Sequence, residues 1–351
     1  MFMSRHFAIA LAASLLATQA QAYEPRAPEI WERGAAWRAS LSEETEAQRA
    51  ELRHLLRSGD SEASLDLLQA LDRDPELPAP ARERLLLDYV NELRLEPPRA
   101  VSDAVIEFLA AYPSMVLVAH ADHPRANAPL FNIRAATAGL KNGWTRQEAA
   151  FEGAALLSGE AGRLIDAFLA TDSVPRQRGL IDALATAAPE QRFTIAETAL
   201  SLIDQQPELV ELAGQAALLN LDVDMLQRLL ARAQGHGLHR LLRRSSEAFD
   251  IGRNAALLEA ALDSGSAQTA ALAMAQLGPV LADHAVSVDR LFQHLDDPAI
   301  GSAAALALAG NPNPEVRQRL EAAAADANAL LASRASLALQ LMDAAWLREL
   351  Q

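Results

Sequence analysis

The sequence GSAAALAL of Gly301–Leu308 returns as ASRASLAL at Ala332–Leu339, 31 residues later (332 − 301). A third copy begins at Ala270, 34 residues before the matching Ala304 (304 − 270). Self-similarity with a period of roughly 30 to 35 residues is typical of proteins built from stacked repeats. This stretch therefore indicates the fold class of the chain.

Each copy has apolar residues spaced four apart, which predicts one buried face on an α-helix. These residues are Ile300, Ala304 and Leu308 in one copy and Leu331, Ala335 and Leu339 in the next. Ala270, Ala304 and Ala335 are expected to be equivalent inward positions. Ala305, one position further round the helix, is expected to face outward.

Short polar motifs predict where the repeat helices begin and end. Asp297-Pro298 and Asn313-Pro314 each combine a side-chain cap with proline at the first helical position. Gly310 is a typical helix end. A pair of such helices has an apolar face too narrow to fold alone, so neighbouring pairs must stack.

The stretch LDDPAIGSAAALAL at Leu295–Leu308 resembles the first helix of a bacterial HEAT-like repeat, in which Asp-Pro precedes an alanine-rich run. NPEVR at Asn313–Arg317 resembles another helix opening of that family. The first copy departs from the pattern because Gly301 and Ser302 stand where the family usually has an arginine. The resemblance covers about a quarter of the chain. It implies an α-solenoid with an interaction role and names no ligand.

The first 22 residues have the composition of a secretory signal peptide. Arg5 precedes an apolar core, Phe7–Ala17, and Ala20 and Ala22 form an Ala-x-Ala cleavage signal. The mature chain is predicted to begin at Tyr23 and to be periplasmic or secreted. The alternative is an uncleaved membrane anchor.

Composition narrows the possible functions. The chain has no cysteine, which excludes disulfides, thiol catalysis and thiolate metal sites. Its formal net charge of −15 disfavours nucleic acid and anionic lipid as partners. We expect no cofactor, no nucleic acid and no membrane insertion once the signal is removed.

The remaining sequence alternates helical patterns with short proline-rich joints, which predicts an all-α protein. Tyr23–Ser40 is expected to be an irregular lead-in. The predicted organisation is a signal peptide (1–22), an N-terminal helical region (23–112), an irregular connecting segment (113–129) and a HEAT-like helical repeat region (130–351). The predicted helices of the N-terminal region are Glu43–Arg57, Ser61–Leu71, Ala81–Leu93 and Val101–Tyr112.

A histidine cluster lies in the connecting segment. His120, Asp122 and His123 follow a short β-branched run and are residue types that bind zinc. The motif resembles the His-x-Asp-His zinc motif of the metallo-β-lactamase superfamily. It departs from that motif at Val118, where a further histidine is usual, and at Pro124, where glycine is usual. The alternative is an ordinary loop whose histidines bind backbone carbonyls or solvent.

Two basic clusters in this acidic chain are candidates for binding an acidic partner. The first is Arg134, Lys141, Trp144 and Arg146, and the second is His239, Arg240, Arg243 and Arg244. The alternatives are a tryptophan packed between helices and a solvated basic face paired with neighbouring acids. Between the first cluster's residues, Asn142-Gly143 is expected to end one helix, and the capping box Thr145–Glu148 to start the next.

No sequence motif of a hydrolase nucleophile, a phosphate-binding loop or a dinucleotide-binding loop is present. The favoured hypothesis is an exported, non-enzymatic scaffold, adaptor or envelope chaperone that binds another protein or peptide. The alternative is a metal-dependent hydrolase that uses His120, Asp122 and His123.

Overall fold

The computed structural model describes residues 27–41, 43–120, 123, 125–233 and 237–349. Most of these residues are helical, so the predicted all-α class is confirmed. Contacts along the chain divide it into two compact units, residues 1–144 and 145–351. The predicted signal peptide lies outside the described residues. None of the described helices has the length and apolar composition needed to cross a lipid bilayer.

The first unit combines helices with a small three-stranded sheet. Its helices are α1 Arg33–Ala39, α2 Glu43–Ser58, α3 Ser61–Arg73, α4 Ala79–Leu93, α5 Asp103–Ala111 and the first part of α6 Ile133–Leu156. Its strands are β1 Glu29–Ile30, β2 Val116–Ala119 and β3 Asn127–Pro129. The central strand β2 pairs in parallel with β1 and antiparallel with β3.

Two expectations for this unit were wrong. Tyr23–Ser40 was expected to be irregular, but it contains β1 and α1. Strand β1 forms through contacts with residues distant in sequence. The backbone N–H groups of Glu29 and Trp31 donate to the carbonyl oxygens of Met115 and Leu117, beside and within β2. The predicted change of helix, from an end at Asn142-Gly143 to a new start at Thr145–Glu148, is also wrong, since α6 continues through both. One exposed glycine costs a helix only about 1 kcal/mol.

The core of the first unit forms around α4. This helix contacts α1, α2, α3 and β2, and Leu85, Leu86, Val90 and Leu93 on it are fully buried. Apolar residues on several sides of α4 allow this burial. Two charged residues of α4, Arg82 and Glu83, are also buried.

Glu83 is a buried carboxyl group that joins α4 to the sheet. Its Oε1 accepts hydrogen bonds from the backbone N–H groups of Met115 and Val116. Its Oε2 has no hydrogen-bond partner among the described residues. Burial raises the pKa of Glu83 to about 7, against the lowering effect of those two backbone N–H groups and of Arg82, while Asp72 adds to the rise.

Folding stability should therefore depend on pH through Glu83. The pKa of Glu83 is higher in the folded chain than its ordinary value of 4.5. The contribution of Glu83 to the free energy of unfolding is therefore fully present below pH 4.5 and is lost as pH rises through 7. In Glu83→Gln, the decrease in the free energy of unfolding between low and high pH should be smaller by on the order of 3 kcal/mol. The measurement is urea unfolding followed by tryptophan fluorescence at pH 5 and pH 8. Glu62→Gln, at an exposed position of α3, is the control, and equal pH dependence in the two variants would contradict the assignment.

Helices are the only regular secondary structure among the described residues of the second unit. Its helices after α6 are α7 Ala161–Leu169, α8 Val174–Ala183, α9 Pro189–Leu202, α10 Leu209–Leu219, α11 Val223–Arg232, α12 Gly237–Ala248, α13 Ile251–Leu262, α14 Ala267–Leu277, α15 Ala285–Gln293, α16 Gly301–Ala309, α17 Pro314–Ala324 and α18 Ala329–Glu349. Two short 3-10 segments, Leu184–Thr186 and Pro279–Leu281, follow α8 and α14.

Helices of the second unit pack against their second neighbours along the chain. The helices α10, α12, α14, α16 and α18 contact one another in succession, and so do α7, α9, α11 and α13. Consecutive helices such as α9 and α10 also pack together. The apolar face of each helix is therefore covered by helices before and after it. The solenoid arrangement stays a prediction.

The repeat copies agree in burial as well as in sequence. Ala270 is 3% exposed, and Ala304 and Ala335 are fully buried, as equivalent inward positions should be. The expectation that Ala305 faces outward was wrong, since it is also fully buried. The reason is that α16 contacts α14, α15 and α18 and so has more than one buried side. The exposed position is Leu306, at 55%.

The predicted helix boundaries of the repeat region are mostly confirmed. The Asn313 side chain accepts the N–H of Glu315 at the start of α17, and Gly310 follows the end of α16. The exception is Asp297-Pro298, because α16 starts only at Gly301. The Asp297 carboxylate instead accepts backbone N–H groups of a turn that precedes the helix.

A buried arginine connects the last two copies. The Arg334 guanidinium donates to the carbonyl oxygens of Leu295 at 2.8 Å, Asp297 at 2.5 Å and Pro298 at 3.3 Å. A Cβ atom at Gly301 would lie 2.2 Å from Nη1 of Arg334. Gly301 stands where the HEAT-like pattern usually has an arginine. Because it has no side chain, it leaves space for Arg334 of the following copy.

Gly301→Ala should destabilise the chain by about 1 to 3 kcal/mol, because the added methyl overlaps the Arg334 guanidinium and nearby carbonyls. Gly162→Ala in α7, where a Cβ meets nothing within 4 Å, should instead stabilise by up to about 1 kcal/mol. Chemical unfolding measures both. The double variant Gly301→Ala/Arg334→Ala should lose less than the sum of the single losses. Additive losses would show that the glycine and the arginine do not interact.

Candidate functional site

A cavity of about 410 Å³ lies among helices α6, α8, α10 and α12 of the second unit. Five arginines line it, and we call it the arginine groove. The groove is lined by Arg146, Arg178, Ile181, Asp182, Glu211, Gln215, Leu218, Gly237, Arg240, Leu241, Arg243 and Arg244.

Each of three helices contributes one face to the groove. Residues three, four or seven apart share a helix face, and the lining residues follow this spacing. They are Arg178, Ile181 and Asp182 on α8, Glu211, Gln215 and Leu218 on α10, and Gly237, Arg240, Leu241 and Arg244 on α12. The floor is apolar, since Ile181, Leu218 and Leu241 are each at most 7% exposed.

A close helix contact brings Arg146 to the groove. A Cβ atom at Gly179 of α8 would lie 2.1 Å from the carbonyl oxygen of Arg146 on α6. Glycine is therefore the residue that allows these two backbones to approach. The Arg146 guanidinium then reaches Asp182 on the same face of α8, with Nε–Oδ2 at 2.5 Å and Nη2–Oδ1 at 2.9 Å. This bidentate bond raises the pKa of Arg146.

Two further arginines of the groove have partners on the neighbouring helix. Arg240 of α12 forms an ion pair with Glu211 of α10. Arg244 of α12 donates to the side-chain oxygen of Gln215 of α10. These bonds hold the two arginines against α10 and leave part of each guanidinium facing the groove.

Arg178 and Arg243 are exposed, and their guanidinium groups have no hydrogen bond or ion pair within the described part of the chain. The groove therefore contains five arginines and two carboxylates, a formal charge of +3 (5 − 2). This local charge is opposite to the −15 of the whole chain. Free guanidinium groups bind carboxylates and phosphates through paired hydrogen bonds. The groove therefore has the chemistry of an anion-binding site.

The structure brings together residues from both basic clusters found in the sequence. Arg146 from the first cluster lies in one groove with Arg240, Arg243 and Arg244 from the second. Arg178, Asp182 and Glu211 also line the groove but were not predicted from the sequence. Arg178 lies four residues before Asp182, a spacing that predicts both on one face of a helix. The sequence does not show which other helices pack against that face.

The other predicted partner-binding residues lie elsewhere. Arg134, Lys141 and Trp144 belong to the first unit, and His239 is exposed without lining the groove. Trp144 is half-buried and packs against the first unit's core, and its Nε1 has no hydrogen-bond partner among the described residues. These contacts are those of a packing tryptophan, the alternative considered for the first cluster.

The histidine cluster lies at the end of a β-hairpin. His120 follows β2, and its backbone N–H donates to the carbonyl oxygen of Ala126 at 2.9 Å. His120 is half-buried and His123 is exposed, their imidazole ring centroids lie 5.1 Å apart, and Asp122 is outside the described residues. Within the described residues, no group of three or more histidines and carboxylates could hold a metal ion.

We expect the hairpin not to bind zinc stoichiometrically, because a zinc site needs at least three protein ligands and Val118 stands where the motif usually has a histidine. The measurement is zinc content by atomic emission after incubation with zinc chloride and desalting. The variants are His120→Ala/His123→Ala and, as a control, His54→Ala on α2. About one zinc per chain in the parent and the control, lost only in the double variant, would overturn this expectation.

Comparison of the chain with protein-family models, with curated proteins and with solved structures found no match. The chemistry of the arginine groove is therefore the basis for proposing a function. Its described lining residues include five arginines, which are suited to binding an anionic group.

Proposed function

We propose that this protein is a non-enzymatic adaptor that binds an acidic segment of another protein in the arginine groove. The observation that carries the proposal is the pair of exposed arginines, Arg178 and Arg243, which have no partner among the described residues. They lie in a groove of formal charge +3 (5 − 2) within a chain of net charge −15. The groove has fewer carboxylates than arginines, so carboxylates of a partner would form ion pairs with the remaining arginines.

A protein segment suits the groove better than a nucleic acid. A nucleic acid presents continuous negative charge, which the acidic remainder of the chain would repel. A short acidic segment carries only a few carboxylates, which can bind the arginines without bringing further negative charge near the acidic remainder of the chain. The apolar floor formed by Ile181, Leu218 and Leu241 also favours a ligand with hydrocarbon parts.

The broader assignment is part of the same proposal. The repeat copies, and the contacts of each helix with its second neighbour, support a HEAT-like solenoid, an architecture suited to binding proteins along an extended surface. The signal-like residues 1–22 and the absence of cysteine support export to the periplasm or beyond. A role as scaffold, adaptor or envelope chaperone is consistent with both. The alternative, a hydrolase at His120, Asp122 and His123, depends on the zinc measurement.

A fluorescein-labelled peptide of eight glutamates tests the proposal. The parent should bind it in low salt and bind it more weakly as salt increases. Arg178→Glu/Arg243→Glu should weaken binding by about 10-fold or more, because two attractive charges become repulsive. Fluorescence anisotropy measures the dissociation constants.

The matched control is Arg57→Glu/Arg163→Glu, which makes the same charge change at exposed positions outside the groove. It should weaken binding far less, because these two arginines do not line the groove and their charges are exposed to screening by salt. Equal weakening by the two double variants would mean that net charge alone governs binding. That result, or failure of the parent to bind the peptide, would overturn the proposed site.

A further inference from the structure

A second cavity, of about 370 Å³, adjoins the arginine groove. The two cavities share four lining residues, Arg178, Glu211, Gly237 and Arg240. Both lie within the second unit and between the same helices, α8, α10 and α12. They therefore form two compartments of one binding surface, separated by the ion pair between Arg240 and Glu211.

The second compartment has an apolar wall. Besides the shared residues, it is lined by four apolar residues, Phe168, Val174, Pro207 and Val210, and by two polar ones, Gln177 and Glu208. Phe168 and Val210 are each 2% exposed and form its wall, whereas Val174 is 50% exposed. Val174 stands at the first position of α8, one turn before Arg178. An apolar side chain that entered this compartment would cover Val174 and leave the arginines free for carboxylates.

We infer that the segment bound in the groove carries a bulky apolar side chain next to its acidic residues, and that this side chain occupies the second compartment. The inference rests on the proposed function and specifies its ligand. Charge complementarity assigns the acidic residues to the compartment with the arginines. The apolar wall assigns an aromatic or large aliphatic residue to the other compartment.

Gly237 lies where α12 approaches α10 closely, beside both compartments. A Cβ atom at this position would lie 2.9 Å from Cγ of Glu211 and 3.3 Å from Cγ1 of Val210. Glu211 lines the junction of the compartments, and Val210 lines the apolar wall. A methyl group at position 237 would therefore displace both side chains and change the shape of the second compartment.

Three labelled peptides test the inference on the full mature chain by fluorescence anisotropy. One has six glutamates followed by two alanines, the second has the same glutamates followed by phenylalanine and leucine, and the third has phenylalanine and leucine before the glutamates. At least one of the two apolar peptides should bind about 10-fold more tightly than the alanine peptide, because it buries a large side chain.

Variants test whether the tighter binding of an apolar peptide comes from the second compartment. Val174→Ser should reduce the apolar advantage at least about threefold, which is the loss expected for removing two methyl groups from the contact. Its affinity for the alanine peptide should stay within about twofold of the parent's. Val286→Ser, at an exposed valine near the start of α15, is the matched control and should leave the advantage intact. Gly237→Ala should reduce the advantage as Val174→Ser does.

The outcomes separate this inference from the proposed function. If the alanine peptide binds through the arginines but neither apolar peptide binds more tightly, the inference is overturned and the proposed function stands. An apolar advantage that survives in both Val174→Ser and Gly237→Ala also overturns the inference, since the side chain would then bind elsewhere. If no peptide binds the parent, the proposed function itself fails.

Discussion

The packing of helices against their second neighbours along the chain is the constraint on which most of the second unit depends. A helix such as α16 has apolar residues on several sides, and it can bury them only between the helices that precede and follow it. Alanines at Ala270, Ala304 and Ala335 let these helices approach closely, because a small side chain keeps the two backbones near each other. The buried Arg334 then binds the carbonyl groups of the preceding copy, so the contact between copies is both apolar and polar.

The same spacing appears in the polar contacts, where arginines pair with acids about one repeat away. Arg228 pairs with Glu197 and Arg290 with Glu259, both 31 residues apart (228 − 197 and 290 − 259). Exposed ion pairs of this kind contribute little stability, typically below about 1 kcal/mol. The Arg240–Glu211 pair of the groove is another contact of this series, 29 residues apart (240 − 211). The groove differs because it contains more arginines than acids, and that excess makes it available to a ligand.

The first unit depends on a different interaction, the attachment of a sheet to α4 through Glu83. The carboxyl group accepts two backbone N–H groups beside β2 while being fully removed from solvent. Desolvation disfavours the charged form and the two backbone donors favour it, and the raised pKa shows that desolvation dominates. The hairpin that carries His120 and His123 extends from this same sheet.

Sequence by itself determined the helical class, the register of the last repeat copies and the caps at Asn313 and Gly310, because these follow from spacing and capping over a few residues. Only the tertiary structure decided that α6 continues through Gly143, that Ala305 is buried and that Arg178 belongs to the groove. The groove's residues extend from Arg146 to Arg244, on four helices that are separate in sequence. Each helix face is a local property of the chain, but which faces meet depends on how the helices pack, and no local pattern contains that information.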